Sequence, residues 1–255
     1  MAAVAALGVA LVGCGGQGTG VRAGGKDETT SEVKSTGTKV LWVGDSIAGA
    51  EAPALGAALK AGGVEFKDAS SDGGGMVVAS SEEITKTIAA DTWKQLAKNV
   101  ELSHPTVVAY QITTYDWGSR DQQRAAYEKL VKTAEDAEAK TVFVPAPPIK
   151  TDDFYKKYAS QMRTAPQVAK EVAKNSGGAG VFLDAAQLWG TDASAKKAQR
   201  AFDGIHNCQQ GAAAFAAWFA MGLGKQESFT PAAVDTWANG SWTSDDRYAK
   251  LKCDS

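Results

Sequence analysis

The stretch that decides the fold is Lys39-Val40-Leu41-Trp42-Val43-Gly44-Asp45-Ser46-Ile47. After Lys39, four continuously apolar, β-prone residues run into a glycine, an acid and a serine, the pattern of a buried strand that turns sharply into a helix. Four more short apolar runs follow, Val64 to Lys67, Thr106 to Tyr110, Thr141 to Val144 and Val181 to Leu183, separated by long helical stretches. In one of these, Arg120 to Lys140, apolar residues recur at helical spacing (Ala126, Leu130, Val131, Ala134, Ala137), and Ser119 and Gln122 stand as a capping box. Strands this short and apolar fit a parallel sheet buried on both faces, with connections long enough for crossovers. The pattern predicts an α/β fold: an open, doubly wound, five-stranded and mostly parallel sheet. Sites in such sheets lie outside the carboxyl ends of the strands, so the residues just after each strand are the candidates.

Ser46 falls on such a corner. There its hydroxyl can be exposed and its N–H can face a developing oxyanion. The tripeptide Gly44-Asp45-Ser46 is weak evidence alone, and its place after a strand strengthens it. A second motif, Asp203-Gly204-Ile205-His206, stands before the Ala-rich helical run that contains Trp218 and Phe219. A carboxylate three residues ahead of an imidazole can accept a hydrogen bond from one ring nitrogen, leaving the other to take a proton from Ser46. The competing reading is a helix N-cap at Asp203 and a structural His206.

Together, in this order, the motifs resemble the SGNH (GDSL-like) hydrolase family, in which G-D-S supplies the nucleophile and a late D-x-x-H the base. The resemblance spans about Lys39 to Trp218. It implies a three-layer, flavodoxin-like α/β/α fold, a catalytic set of Ser46, Asp203 and His206, and no cofactor. It also implies an oxyanion hole from the N–H of Ser46, the N–H of a glycine after the second strand, and an asparagine side chain after the third. The glycine falls within Ser71-Asp72-Gly73-Gly74-Gly75-Met76, with Gly74 the central choice. The asparagine is missing: Tyr110-Gln111-Ile112-Thr113-Thr114-Tyr115-Asp116-Trp117 stands where the family usually has G-x-N-D. Gln111, or Thr113 or Thr114, could present the donor instead. Some polysaccharide O-acylation proteins have SGNH domains with similarly altered third blocks, which keeps acyl transfer open beside hydrolysis. Nothing matches the G-x-S-x-G elbow of the larger α/β-hydrolase family.

The length of 255 residues suits one α/β domain with a tether. Met1 to Cys14 carries no charged side chain and is shorter than the ~20 residues of a spanning helix, so it reads as a signal segment. Its end, Leu11-Val12-Gly13-Cys14, resembles the bacterial lipobox, which implies a lipid on Cys14 and an exported protein anchored to the outer face of the cell membrane. No Lys or Arg precedes the apolar run, which leaves open a start upstream of Met1, and a chance cysteine in an apolar terminus is the alternative. Residues 15–38 are Gly, Thr, Ser and mixed charge, a flexible tether. At its start, Gly13, Gly15 and Gly18 match G-x-G-x-x-G, yet no strand precedes and no helix follows, so the dinucleotide reading fails. The domain is expected over 39–255, with a polar tail from 224.

With 27 basic and 29 acidic side chains, the formal net charge of -2 offers no footprint for nucleic acid. Two histidines and no C-x-x-C spacing argue against a metal site. Cys208 and Cys253 remain, and an oxidising compartment makes them an expected disulfide. His104, ahead of the third strand, lies at the wrong end of the sheet and reads as structural. Trp237, Trp242 and Tyr248 could stack on sugar rings, though aromatics mostly pack. Pro145, Pro147 and Pro148 end the fourth strand and shape the rim. The expected function is an extracytoplasmic esterase or deacylase acting on an acyl ester, such as the O-acetyl groups of an envelope glycan. The alternatives are an O-acyltransferase of surface polysaccharide with the same Ser-His pair and a non-catalytic glycan-binding lipoprotein.

Overall fold

The structure, a computed structural model, describes residues 33–195 and 199–253. The expected signal segment, Cys14 and most of the tether lie outside the described residues. Five strands, β1 (Lys39–Val43), β2 (Glu65–Asp68), β3 (Val107–Ile112), β4 (Lys140–Pro145) and β5 (Gly180–Phe182), form one parallel sheet in the order β2-β1-β3-β4-β5. The helices are α1 (Ser46–Ala61), α2 (Glu83–Ser103), α3 (Arg120–Glu135), α4 (Asp153–Lys156), α5 (Ala159–Asn175), α6 (Ala186–Trp189), α7 (Gln209–Glu227) and α8 (Asp246–Lys250).

The alternation of the central strands builds the three layers. Val40, Trp42, Val107, Ala109, Val142 and Val144 face a core shared with α1 and α7, where Trp42 meets Phe215 and Phe219 at 5.7 and 5.5 Å between ring centroids. The intervening residues, Leu41, Val43, Val108, Tyr110 and Phe143, face the opposite core with Leu96 of α2, Leu130 of α3 and Val168 of α5. Each strand residue is covered because its period of two matches a helix layer on either side. The capping box of α3 forms as the sequence predicts, Ser119 accepting from the Gln122 N–H and Gln122 accepting from the Ser119 N–H.

Several expectations are corrected. β2 is an edge strand with Glu65 and Lys67 exposed, so it is not buried on both faces. β3 runs two residues further than its apolar run, because the polar Gln111 finds a partner inside the protein. In the polar tail from 224, α7 continues to Glu227, two 3-10 turns follow at Val234–Thr236 and Ser241–Ser244, and α8 closes it. Trp237 and Tyr248 are buried there and the half-buried Trp242 packs against both, so these rings mostly pack, as their type suggests. The chain already meets the domain at Thr36, whose N–H and hydroxyl both donate to the Gly63 carbonyl. His104 caps the C-terminus of α2 in the left-handed conformation, a structural place before β3. Among the described residues no helix is long and apolar enough to cross a membrane.

Candidate active site

In the order β2-β1-β3-β4-β5 the chain leaves β1 to one side for β2 and returns to the other for β3. The crevice of such a sheet opens between the carboxyl ends of β1 and β3. Ser46 is there, the first residue of α1, with an N–H that has no acceptor within the helix. The turn into it is tight. A Cβ on Gly44 would lie 2.6 Å from the Ala48 Cβ and 3.2 Å from that of Gln111, so only glycine lets the strand end approach the helix and β3. Gly75, at φ +76°, presses on the same spot; a Cβ there would meet the Gly44 carbonyl oxygen at 1.9 Å.

Asp45 holds the corner. Its carboxylate is buried and caps α1 by accepting from the Ile47 N–H at 2.9 Å. The other oxygen accepts from the Thr114 N–H at 2.9 Å and the Thr114 hydroxyl at 3.0 Å. Burial raises the Asp45 pKa above its ordinary value, and the bonds from Thr114 and Ile47 work against that rise. The sequence signal for Asp45 is its place as an N-cap between a strand and a helix, beside the more conspicuous Ser46.

His206 reaches the corner from the segment ahead of α7. Its Nε2 lies 2.8 Å from the Ser46 Oγ and its Nδ1 2.6 Å from the Asp203 Oδ2. The other Asp203 oxygen accepts from the N–H groups of Ile205 and His206, at 2.8 and 3.0 Å. One carboxylate therefore shapes the turn and orients the ring that the turn carries. Partial burial works to raise the Asp203 pKa, but the bonds from the His206 ring and the two N–H groups outweigh it and hold the carboxyl below its ordinary value. The turn is tied down by the Ala201 N–H on the His206 carbonyl and the Lys150 N–H on the Gly204 carbonyl. Cys208, two residues on, is bonded to Cys253.

The expected oxyanion side chains are engaged elsewhere. Gln111 donates to Glu51 at 2.5 Å, and both side chains are fully buried. Burial pushes the Glu51 carboxyl well above its usual range despite that bond. Thr114 is committed to Asp45. The Thr113 hydroxyl accepts from the Tyr115 N–H and bonds into the group formed by Tyr110 and Asp116. Gly74 donates its N–H to the Ser71 carbonyl and lines a cavity against α2 that adjoins the one containing Ser46, the two sharing Ser70 and Asp72. Each of these groups is already engaged, Gly74 in closing its own turn and the three third-block side chains in bonds within the protein.

A cleft of about 500 Å³ opens beside Ser46 and His206, walled by Gly49, Ser70, Asp72 and Arg247. On the other flank Ile47 and Ile205, the neighbours of nucleophile and imidazole, pack with Trp117, Ile149, Tyr155 and Tyr158. Among the described residues no group of three or more His, Cys, Asp or Glu side chains is placed to hold a metal ion. A serine hydroxyl on an imidazole nitrogen, with a carboxylate on the other, can pass a proton from the hydroxyl as it attacks an electrophilic carbon.

The family model for the SGNH domain (fused to AT3 domains) matches residues 14–209. No curated protein matches the chain. Among solved structures it is similar to a catalytic mutant of an acetylxylan esterase from Geobacillus stearothermophilus, with 16% identity and a TM-score of 0.54 over 78% of this chain and 97% of that one. An α/β hydrolase enzyme from the metagenome of Lake Arreo, Spain, shares 17% identity with a TM-score of 0.57 over 74% and 96% of the two chains. A GDSL-like lipase from Bacteroides thetaiotaomicron VPI-5482 shares 13% with a TM-score of 0.54 over 74% and 88%. At such identities the likeness concerns the fold, and the family match covers most of the sequence. The chain belongs to the SGNH domain family and is a serine hydrolase of that type.

Proposed function

We propose that the protein is an esterase or deacylase in which Ser46 is the nucleophile, His206 the general base and acid, and Asp203 the orienting carboxylate. The observation that carries this reading is the continuous line of hydrogen bonds from Ser46 through His206 to Asp203 at the mouth of an open cleft. Ser46 Oγ attacks the ester carbonyl carbon while His206 Nε2 takes its proton. The tetrahedral intermediate collapses to an acyl-serine, and the same proton goes to the departing alcohol oxygen. Water then attacks the acyl-serine, giving its proton to His206, which returns it to Ser46 as the acid leaves. The oxyanion is met by the Ser46 N–H at the positive end of α1. Gly74, Gln111, Thr113 or Thr114 joins it only by giving up its present partner.

Labelling the full chain with a fluorophosphonate probe and mapping the modified residue tests this reading. Modification of Ser46, lost in Ser46→Ala and His206→Ala, is the expected result. Labelling elsewhere, or undiminished in Ser46→Ala, overturns it.

A second reading, transfer of the acyl group to a sugar hydroxyl instead of water, is favoured by the matching family being that of SGNH domains fused to AT3 domains. It uses the same acyl-serine and predicts that a sugar acceptor outcompetes water for the acyl group. The protein's location completes the proposal: export, with Cys14 lipidated and the domain held at the outer face of the membrane, where envelope glycan or lipid esters are within reach. The lipobox-like Leu11-Val12-Gly13-Cys14 and a disulfide of the kind kept in oxidising compartments support it. Mass spectrometry of the membrane fraction tests it, since an unmodified terminus upstream of Cys14 contradicts anchoring.

A further inference from the structure

The cleft beside Ser46 has two walls of different origin. One comes from the residues that the family model matches, 14–209; the other, Asp245 to Leu251, lies wholly beyond them. That second wall is firmly seated. The Tyr248 hydroxyl donates to the Ala50 carbonyl at 2.9 Å in the interior, and the Arg247 guanidinium donates to the Gly49 carbonyl. Arg247 Nε also donates to Asp245 at 2.9 Å, with Nη1 3.6 Å from Asp68. Gly49 is one helical turn beyond Ser46, on the same side of α1. A Cβ at Gly49 would lie 3.3 Å from the Ser70 Oγ, 3.7 Å from an Asp72 carboxylate oxygen and 3.9 Å from Arg247 Nη1. A hydroxyl, a carboxylate and a guanidinium therefore converge over one bare point of the helix.

We propose that this convergence is the subsite for the alcohol part of the ester, and that it takes a neutral, hydroxyl-rich group, a sugar unit, through Asp72 and Arg247. The proposal rests on the esterase reading and deepens it. A sugar hydroxyl both donates and accepts, so neighbouring hydroxyls are matched by a carboxylate that only accepts and a guanidinium that only donates. Four carboxylates (Asp68, Asp72, Asp245, Asp246) stand against two cations (Arg247, Lys250) along the walls, and that excess of negative charge repels an anionic sugar. Arg247 is held by Asp245 and lies beside Asp68, which leaves it a directional donor with its charge offset.

The test is binding by the full chain carrying Ser46→Ala, titrated by NMR with an O-acetylated methyl glucoside and with the matching O-acetylated methyl glucuronate. Tighter binding of the neutral sugar by about tenfold or more is expected. Asp72→Asn or Arg247→Lys in the same background should each weaken it by about tenfold, the scale of one lost charge-assisted hydrogen bond. Asp72 is exposed, so its substitution leaves the fold intact. Equal binding of the two sugars, no binding of either, or undiminished affinity in both variants overturns the subsite. Because the nucleophile is absent, these outcomes are independent of turnover, whereas p-nitrophenyl acetate hydrolysis by the unaltered protein tests catalysis without any sugar.

Discussion

One carboxylate oxygen of Asp45 accepts two hydrogen bonds from Thr114, from the backbone N–H at 2.9 Å and from the hydroxyl at 3.0 Å. Asp45 ends the β1 turn and Thr114 lies in the loop just after β3, so the pair closes the crevice where the sheet reverses its winding. Ser46 stands on the next residue and inherits its position from that closure. Asp45→Ala should strand the buried N–H groups of Ile47 and Thr114, at about 1–3 kcal/mol for each unpaired donor, and lower turnover as the corner loosens. Urea unfolding and ester kinetics on the variant check this, and unchanged stability would contradict the assignment.

Ser46→Ala and His206→Ala should each reduce kcat on a short-chain p-nitrophenyl ester by roughly 10⁴-fold or more. Asp203→Asn retains an acceptor for the turn's N–H groups and should keep more residual rate than either. Asp203→Ala removes both functions and should also weaken the turn. Circular dichroism alongside the kinetics separates lost chemistry from lost folding; wild-type turnover in Ser46→Ala would sink the mechanism.

Gln111→Ala should act on stability. Its amide serves the buried Glu51 rather than the cleft, so the variant leaves that carboxyl without its donor and lowers the melting temperature. A stable Gln111→Ala protein with a selective fall of 10²-fold in kcat would instead place the amide at the oxyanion.

Asp116 makes stability depend on pH. It is buried, accepts from the hydroxyls of Tyr110 and Tyr127, and burial pushes its carboxyl up to about 7 against those bonds, from an ordinary value of 3.8. The folded form then holds a proton that the unfolded chain releases. Its contribution is full below the unfolded value and is lost as pH rises through about 7, an effect on the order of a few kcal/mol. Asp116→Asn should flatten the fall in unfolding free energy between pH 4 and 7. An identical pH slope in variant and wild type would refute the assignment.

The Cys208–Cys253 bond closes a loop with a sequence separation of 45 and joins the tail to the segment that carries His206. In the chain-entropy model such a loop contributes about 4 kcal/mol. Reduction, or paired substitution by serine, should lower the melting temperature and also activity, since α8 walls the cleft beside Ser46. Two free thiols in the unreduced protein by Ellman titration, with Cys14 absent, would exclude the bond.

Sequence alone determined what depends on local pattern. The apolar run Val40 to Val43, ending at Gly44, marks a buried strand. The capping box at Ser119 marked the start of α3, and Ser46 and the Asp203-x-x-His206 pair were legible because a strand end and a three-residue spacing are local. Tertiary structure decided everything that depends on which polar group finds which partner. Gln111 and Thr114, free donors in a linear reading, are bound to Glu51 and Asp45, residues 60 and 69 positions away. The tail, too polar to announce a fold, becomes ordered because Trp237 and Tyr248 enter the core, whereas its Cys208–Cys253 clasp was already expected from the sequence. A buried hydrogen-bond donor takes its partner from the chain packed against it. Sequence spacing carries no record of that packing when the two residues belong to different strands and helices.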